Sequence, residues 1–252
     1  MATTDQNKEV RNIVIVGKTG NGKSSTGNSI LGLVSPRKNA PSLPNEGFRT
    51  GTGPSGVTRT SQMKQATTNG QIINVIDTPG LFDSDMMPDQ VSEEIVKCMQ
   101  MAKEGIHAFV GVVSTWNRFS EEEANAFREI VEDCKHRIVL FDNLTNDAET
   151  KKKQRMDLLS LVNQVVAKNN GQPYTNEYFE RINQVEVILC DAEPLPIQAR
   201  ALRAPKIPAK VKDAVKKEAK DTLVDIKNEI RGQIIHEAVE GIKSTGCRCA
   251  IL

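Results

Sequence analysis

The sequence predicts an α/β fold with a doubly wound, mostly parallel sheet, followed by a C-terminal helix. Three observations carry that prediction. Apolar, β-branched runs alternate with stretches of helical periodicity, as in a parallel sheet with crossover helices. The first run ends at Val16 and passes directly into Gly17–Ser24, G-K-T-G-N-G-K-S, which fits G-x-x-x-x-G-K-[ST] at every fixed position. A later run, Gln71–Ile76, ends in Asp77-Thr78-Pro79-Gly80, an acidic residue at the end of a buried strand. A strand, this loop and then a helix is the setting of a P-loop NTPase-type domain.

The chemistry follows from the residue types. Gly17, Gly20 and Gly22 let the backbone turn so that the N–H groups of the loop, through Lys18, Thr19 and Asn21, point at phosphate oxygens. The helix that follows presents its positive end, with Ser25 in its first turn, to the same anion. Lys23 is expected to reach the β- and γ-phosphates, and the Ser24 hydroxyl to ligate Mg²⁺. Asp77 would hold Mg²⁺ through water, and the Gly80 N–H would sense the γ-phosphate. Asp-Thr-Pro-Gly alone is also an ordinary turn, and a glycine-rich loop alone can be empty. Their joint occurrence favours the ligand site.

In chain order, residues 1–10 read as a flexible lead-in, with Val10–Val16 as the first strand. Ser25–Leu31 continues as a helix that Gly32 can stop. Residues 33–56 hold Pro36, Pro41, Pro44 and Pro54 and read as a long mobile loop. Thr58–Thr68 and Gln71–Ile76 flank Asn69-Gly70, a strong hairpin turn. Helices are expected over Asp89–Lys103, Phe119–Cys134 and Glu149–Lys168, and strands over Ile106–Ser114 and Arg137–Phe141. Residues 185–208 read as a strand-like stretch, Val185–Leu189, and a Pro-rich linker. Residues 209–245 form a charged amphipathic helix. Its stripe of Val211, Val215, Ile226, Ile230 and Ile234 suits either a partner helix or the helix's own domain.

Composition narrows the function classes. Among 252 residues the formal net charge is +1, so no nucleic-acid binding is expected. Five cysteines without a framework spacing fit a reduced, cytoplasmic setting. No apolar run reaches the roughly 20 residues of a membrane span. His107, His136 and His236 are isolated and read as structural or exposed. The tail, residues 246–252, carries Cys249-Ala250-Ile251-Leu252, a C-a-a-X pattern whose final Leu favours geranylgeranyl. Cys247 is a site for a second, palmitoyl chain, which stable attachment to cellular membranes would require. The rival reading, a Cys-x-Cys metal site, has too few ligands.

The extended loop G-K-T-G-N-G-K-S-S-T-G-N-S-I-L-G at Gly17–Gly32 resembles the GTPases of immunity-associated proteins, also called avirulence-induced or immune-associated nucleotide-binding proteins, plant members above all. Gly56-Val57-Thr58, the run I-N-V-I-D-T-P-G-L-F-D at Ile73–Asp83, Glu94–Gly105, Phe119–Glu123, Arg137–Asn143 and Gly171–Tyr178 also match. The resemblance implies a G domain over residues 11–184 that binds GTP and GDP with Mg²⁺. It makes Thr58 the switch-one threonine that ligates the metal. It places apolar Leu81 where many GTPases have a glutamine, implying slow hydrolysis, and it implies a nucleotide-dependent homodimer. Phe141, Asp142 and Asn143 match the last guanine-site motif, on the base side.

Two departures stand out. Leu33–Glu46 looks inserted, and a strand, its guanine-reading Asp motif and a helix are missing near Glu129–Asp133. The sheet is therefore expected to be shortened by about one strand, leaving Ile106–Ser114 and Arg137–Phe141 as neighbours. Guanine selectivity is expected to be weak. The leading expectation is a slow GTP-dependent switch. Its rivals are a degenerate scaffold acting through its helix and lipidated tail, and an ATP-using phosphate-loop enzyme, for which no substrate motif is found.

Overall fold

The computed structural model describes residues 9–36, 45–51, 57–81, 83, 86–114, 137–192, 209–240 and 249–251. The strands are β1 (Val10–Val16), β2 (Gln62–Thr68), β3 (Gln71–Asp77), β4 (Ala108–Gly111) and β5 (Cys249–Ile251). The described helices are α1 (Lys23–Leu31), α2 (Pro88–Met101), α3 (Ala148–Lys168), α4 (Glu177–Ala192) and α5 (Ala209–Glu240). They fall into two compact units. One comprises Met1–Met86, Glu104–Tyr174 and Lys243–Leu252, the other Met87–Lys103 and Thr175–Ile242.

The first unit holds the sheet, ordered β2-β3-β1-β4-β5. β1 runs parallel to β3 and β4, and β4 parallel to β5. Among the described strands only β2 is antiparallel, because Asn69 and Gly70, at φ 51° and 80°, close a tight hairpin onto β3. Alternation along the strands sends Ile13, Ile15, Ile73, Val75, Ala108 and Val110 to a common core. There they meet Ile30 and Leu31 of α1 and Leu158, Val162 and Val166 of α3. Between them these strands and helices bury the apolar side chains on which the α/β class rests.

A buried polar ladder fixes the register of the same strands. Gln65 donates to Asn74 Oδ1 (2.8 Å), Asn74 to Asn12 Oδ1 (2.8 Å), and Asn12 to the Gly105 carbonyl (2.8 Å). Gln65, Asn74 and Asn12 stand directly opposite one another across β2, β3 and β1. A one-residue slip would leave the two buried amides, Asn12 and Asn74, unpaired, at about 1–3 kcal/mol each.

The second unit is helical. Tyr178, Phe179, Ile182 and Val185 of α4 are buried, as are Ala219, Ile226 and Ile230 of α5. Ion pairs join α4 to α5 through Arg181–Glu229 (2.5 Å) and α5 to α2 through Arg231–Asp89 (2.8 Å). The long charged helix thus packs within its own chain, with Ile226 and Ile230 of the expected stripe inside.

Two expectations are corrected. Val185–Leu189 is helical, not strand-like: it lies inside α4, whose buried residues recur at helical spacing from Tyr178. Arg137–Phe141 forms only an isolated bridge at Ile138, with Val139 turned into the core while Leu140 is 78% exposed. The outer neighbour of β4 is β5, drawn from the tail, so β4 and Arg137–Phe141 are not paired strands. Of the loop at 33–56, residues 37–44 and 52–56 lie outside the described residues, and the described parts carry hydrogen bonds of their own. Gly47 donates to the Val34 carbonyl (2.7 Å), and Thr50 N–H to Ser35 Oγ (3.1 Å). Phe48 is 1% exposed, and its N–H and C=O both bond the Asn28 amide, at 2.6 and 2.9 Å. The expected helix Phe119–Cys134 and the gap near Glu129–Asp133 lie outside the described residues, as do most of the lead-in and the Pro-rich linker.

Candidate functional site

The loop between β1 and α1 is shaped by its glycines. A Cβ on Gly17 would stand 2.4 Å from the Val112 carbonyl oxygen, and φ there is 145°. Gly22 caps α1 at φ 92°, a left-handed conformation that other residues resist. Asn21 donates to the Val112 carbonyl (3.0 Å) and Thr78 to the Ile15 carbonyl (2.7 Å), fastening the loop and the end of β3 to β1 and its neighbour.

Lys23 opens α1 and is 6% exposed, with its Nζ donating to the Lys18 carbonyl (3.0 Å). Burial pushes its ammonium below the ordinary lysine range, and the carboxylates of Asp77 and Asp83 oppose that shift. An anion in the loop would supply the counter-charge that this buried cation lacks in full.

Beside it, three elements bring oxygens together. Ser24 Oγ, from the first turn of α1, donates to Asp77 Oδ2 (2.6 Å). Thr58 Oγ1 donates to the same oxygen (3.1 Å), and the two hydroxyls lie 3.0 Å apart. Asp77 is 1% exposed and its Oδ1 has no partner among the described residues. Burial raises the Asp77 carboxyl above the usual carboxylate range, against the hydrogen bonds from Ser24 and Thr58 and the charge of Lys23. An orphaned buried carboxylate oxygen within a knot of hydroxyls is a set of hard oxygen donors, and it fits Mg²⁺. Ser24, Thr58 and Asp77, far apart in sequence, are thus one cluster.

A cavity of about 500 Å³ opens over this cluster, lined by Thr19, Gly22, Lys23, Ser24, Thr58 and Gly80 among others. A second, of about 440 Å³, shares Ser25 and Thr50 with it and reaches Asn143 and α3. Asn143 donates to Thr26 Oγ1 (3.0 Å) and accepts from Ser29 Oγ (3.0 Å), so α1 holds its amide. Asp142 Oδ1 accepts from the N–H groups of Leu144 and Thr145, at 2.9 and 3.1 Å, closing its own turn. Phe141 packs against the core. The expected base-side residues therefore sit beside α1, but their polar atoms are spent largely on local structure. Cys249 stands in β5, and Cys247 lies outside the described residues.

Two participants escaped the sequence reading. Asp83 accepts a hydrogen bond from the Thr19 N–H (2.9 Å) within the phosphate loop. Asn28 anchors Phe48 from the middle of α1. Neither has a motif of its own. The only signal was position, since Asp83 ends the run Ile73–Asp83 and Phe48 is a lone aromatic in a polar loop.

The model of the AIG1 family matches residues 11–130 and 121–193. The chain belongs to the AIG1 family. Its two matched stretches meet beside the place where the sequence departs from the expected pattern. Immune-associated nucleotide-binding protein 9 from Arabidopsis thaliana is 35% identical over 226 residues, covering 72% of this chain and 62% of that protein. Immune-associated nucleotide-binding protein 8 from the same plant is 34% identical, covering 72% and 61%. This family member thus spans about three fifths of the length of those relatives. Among solved structures, Toc33 from Arabidopsis thaliana in complex with GDP and Mg²⁺ overlaps at 20% identity and a TM-score of 0.34, covering 88% of this chain and 86% of that one. So loose an overlap carries no weight on function.

Proposed function

We propose that this AIG1-family chain binds GTP and GDP through the loop Gly17–Ser25 and changes the setting of its flanking loops with the nucleotide bound. The observation that supports it most is the cluster of Lys23, Ser24, Thr58 and Asp77, with a buried cation short of counter-charge and a buried carboxylate oxygen short of a partner. The backbone N–H groups from Lys18 to Ser25 hold the phosphates, and Lys23 balances their charge. Ser24 and Thr58, with Asp77 through water, hold Mg²⁺. The ion supplies charge neutralisation at the phosphate oxygens. Gly80 and Thr58 act as the two sensors of a terminal phosphate, since both line the same cavity.

Hydrolysis is proposed to be slow, because Leu81 offers no group to orient a water. A homodimer formed across the nucleotide face, and peripheral membrane attachment through Cys249 with the chain otherwise cytoplasmic, complete the reading. A second reading, nucleotide binding with little choice of base, is favoured by the engagement of Asp142 and Asn143 in local bonds.

Calorimetric titration of the chain with GTP, GDP and ATP, with and without Mg²⁺, tests both. Mg²⁺-dependent binding of GTP and GDP supports the proposal. No binding of any nucleotide would overturn it.

A further inference from the structure

Asp83 belongs to none of the expected roles, yet it reaches into the phosphate loop. A turn after β3 puts it there: its N–H donates to the Gly80 carbonyl (2.9 Å) and its own carbonyl accepts from Met86 N–H (3.1 Å). The turn swings the carboxylate back over Gly80. A Cβ built on Gly80 would lie 2.1 Å from Asp83 Oδ2 and 2.5 Å from Thr19 Oγ1, so Thr19, Gly80 and Asp83 converge with no space between them. Asp83 Oδ1 takes the Thr19 N–H at 2.9 Å, a charge-assisted bond. The Lys23 ammonium also feels the Asp83 charge. Thr19 and Gly80, which line one end of the cavity, therefore already hold an anion supplied by the chain.

We infer that Asp83 is a specificity-determining residue that sets the chain against a nucleoside triphosphate relative to a diphosphate, by holding the Thr19–Gly80 end of the loop until a terminal phosphate displaces it. This rests on the nucleotide-binding reading above and adds to it. A diphosphate needs the N–H groups around Lys23–Ser25 and leaves Asp83 in place. A triphosphate extends toward Gly80, where its terminal charge meets the carboxylate. The like charges repel, and the Asp83–Thr19 bond must open first. Only the fraction of molecules with the carboxylate withdrawn accepts the longer ligand, and its apparent affinity falls to that fraction of the intrinsic value.

The test compares the parent chain with Asp83→Asn, which keeps an acceptor for Thr19 but removes the charge, and with Asp83→Ala, which removes both. Affinities are measured for GDP and a non-hydrolysable GTP analogue, and also for Mg²⁺-pyrophosphate and Mg²⁺-tripolyphosphate, which carry no base. Both variants are expected to tighten the triphosphate-length ligands by about tenfold or more (roughly 1.4 kcal/mol) and the diphosphate-length ligands by less than about twofold. Exchange of the Thr19 amide proton, slow in the parent, is expected to speed up in Asp83→Ala. Equal changes for short and long ligands would overturn the inference, as would weaker triphosphate binding in Asp83→Asn. If guanine nucleotides fail to bind but the polyphosphates show the difference, the guanine reading falls and the role of Asp83 stands. If neither the nucleotides nor the polyphosphates bind to any of the three proteins, both fall.

Discussion

Lys23 is the residue on which the proposed phosphate binding turns. It is charged, almost fully buried and only partly compensated. Lys23→Ala is expected to remove Mg²⁺-dependent nucleotide binding, at a cost of roughly 2–5 kcal/mol for a desolvated charge contact. Titration calorimetry of parent and variant checks it, and equal affinities would refute the role. His107 is a second informative residue. Its Nδ1 accepts the Asn12 N–H (3.0 Å), and it is 7% exposed. Burial, with the nearby Arg11 charge, lowers it to about 4, while Glu9 pulls the other way. The unfolded chain takes up this proton below its ordinary value near 6.5, whereas the folded chain does so only near 4. The stability tied to neutral His107 is thus complete above pH 6.5 and is lost as pH falls towards 4, a change of about 3 kcal/mol at most. Urea unfolding at pH 7, 5.5 and 4 should show this loss, and His107→Gln should flatten it. An unchanged slope in the variant would assign the loss to other groups.

At the scale of elements, α1 does two jobs. Its first turn lines the proposed phosphate site, and its middle holds Phe48 in the loop that leads to Thr58. Asn28 closes two buried hydrogen bonds on the Phe48 backbone, and Gly27 leaves room for the Phe48 ring, since a Cβ there would lie 2.9 Å from it. Asn28→Ala leaves a buried N–H and C=O unpaired and is expected to cost about 2 kcal/mol. Urea unfolding measures that, and the Phe48 amide should lose its protection from exchange. If stability is unchanged, the loop is held by the Phe48 ring alone. The sequence could not show this anchoring, because its prolines and glycines report only what the backbone cannot form. The burial of one aromatic ring depends on a pocket that α1 and the sheet build together.

At the scale of the whole molecule, base choice is the open property. A guanine site discriminates through a carboxylate paired with the base edge, and phosphate contacts are the same for GTP and ATP. Of the expected base-side residues, Asp142 closes a turn and Asn143 is tied to α1. A preference for GTP over ATP of less than about tenfold is therefore expected, roughly 1.4 kcal/mol. Competition of unlabelled ATP against a fluorescent GTP analogue measures it, and a preference of about a hundredfold would mean that another residue reads the base. The tail gives a further prediction. Prenylation at a C-a-a-X sequence is followed by removal of the last three residues, here Ala250–Leu252. That would take Ala250 and Ile251 from β5, a strand of three residues that borders β4. Mass spectrometry of the C-terminal peptide distinguishes the two states, and an unmodified Cys249 with Ala250–Leu252 attached would refute the lipid.

The phosphate loop, the hairpin at Asn69-Gly70, the parallel strands β1, β3 and β4 and the helices α1, α2 and α3 were legible in the sequence because each rests on local rules. Glycine conformations, turn types and the periodicity of apolar residues act over a few positions. The pairing of Ser24 with Asp77 was legible too, through their two motifs, and Thr58 joined them only through the family resemblance. The tertiary structure alone decided what depends on distant neighbours. It placed Asp83 on Thr19, Asn28 on Phe48 and the tail beside β4, contacts that join residues 20 to more than 100 positions apart. It also made a helix of Val185–Leu189 and withheld strand pairing from Arg137–Phe141. A short apolar run carries no label of its own, and only the partner that buries it determines whether it forms a helix, a strand or neither.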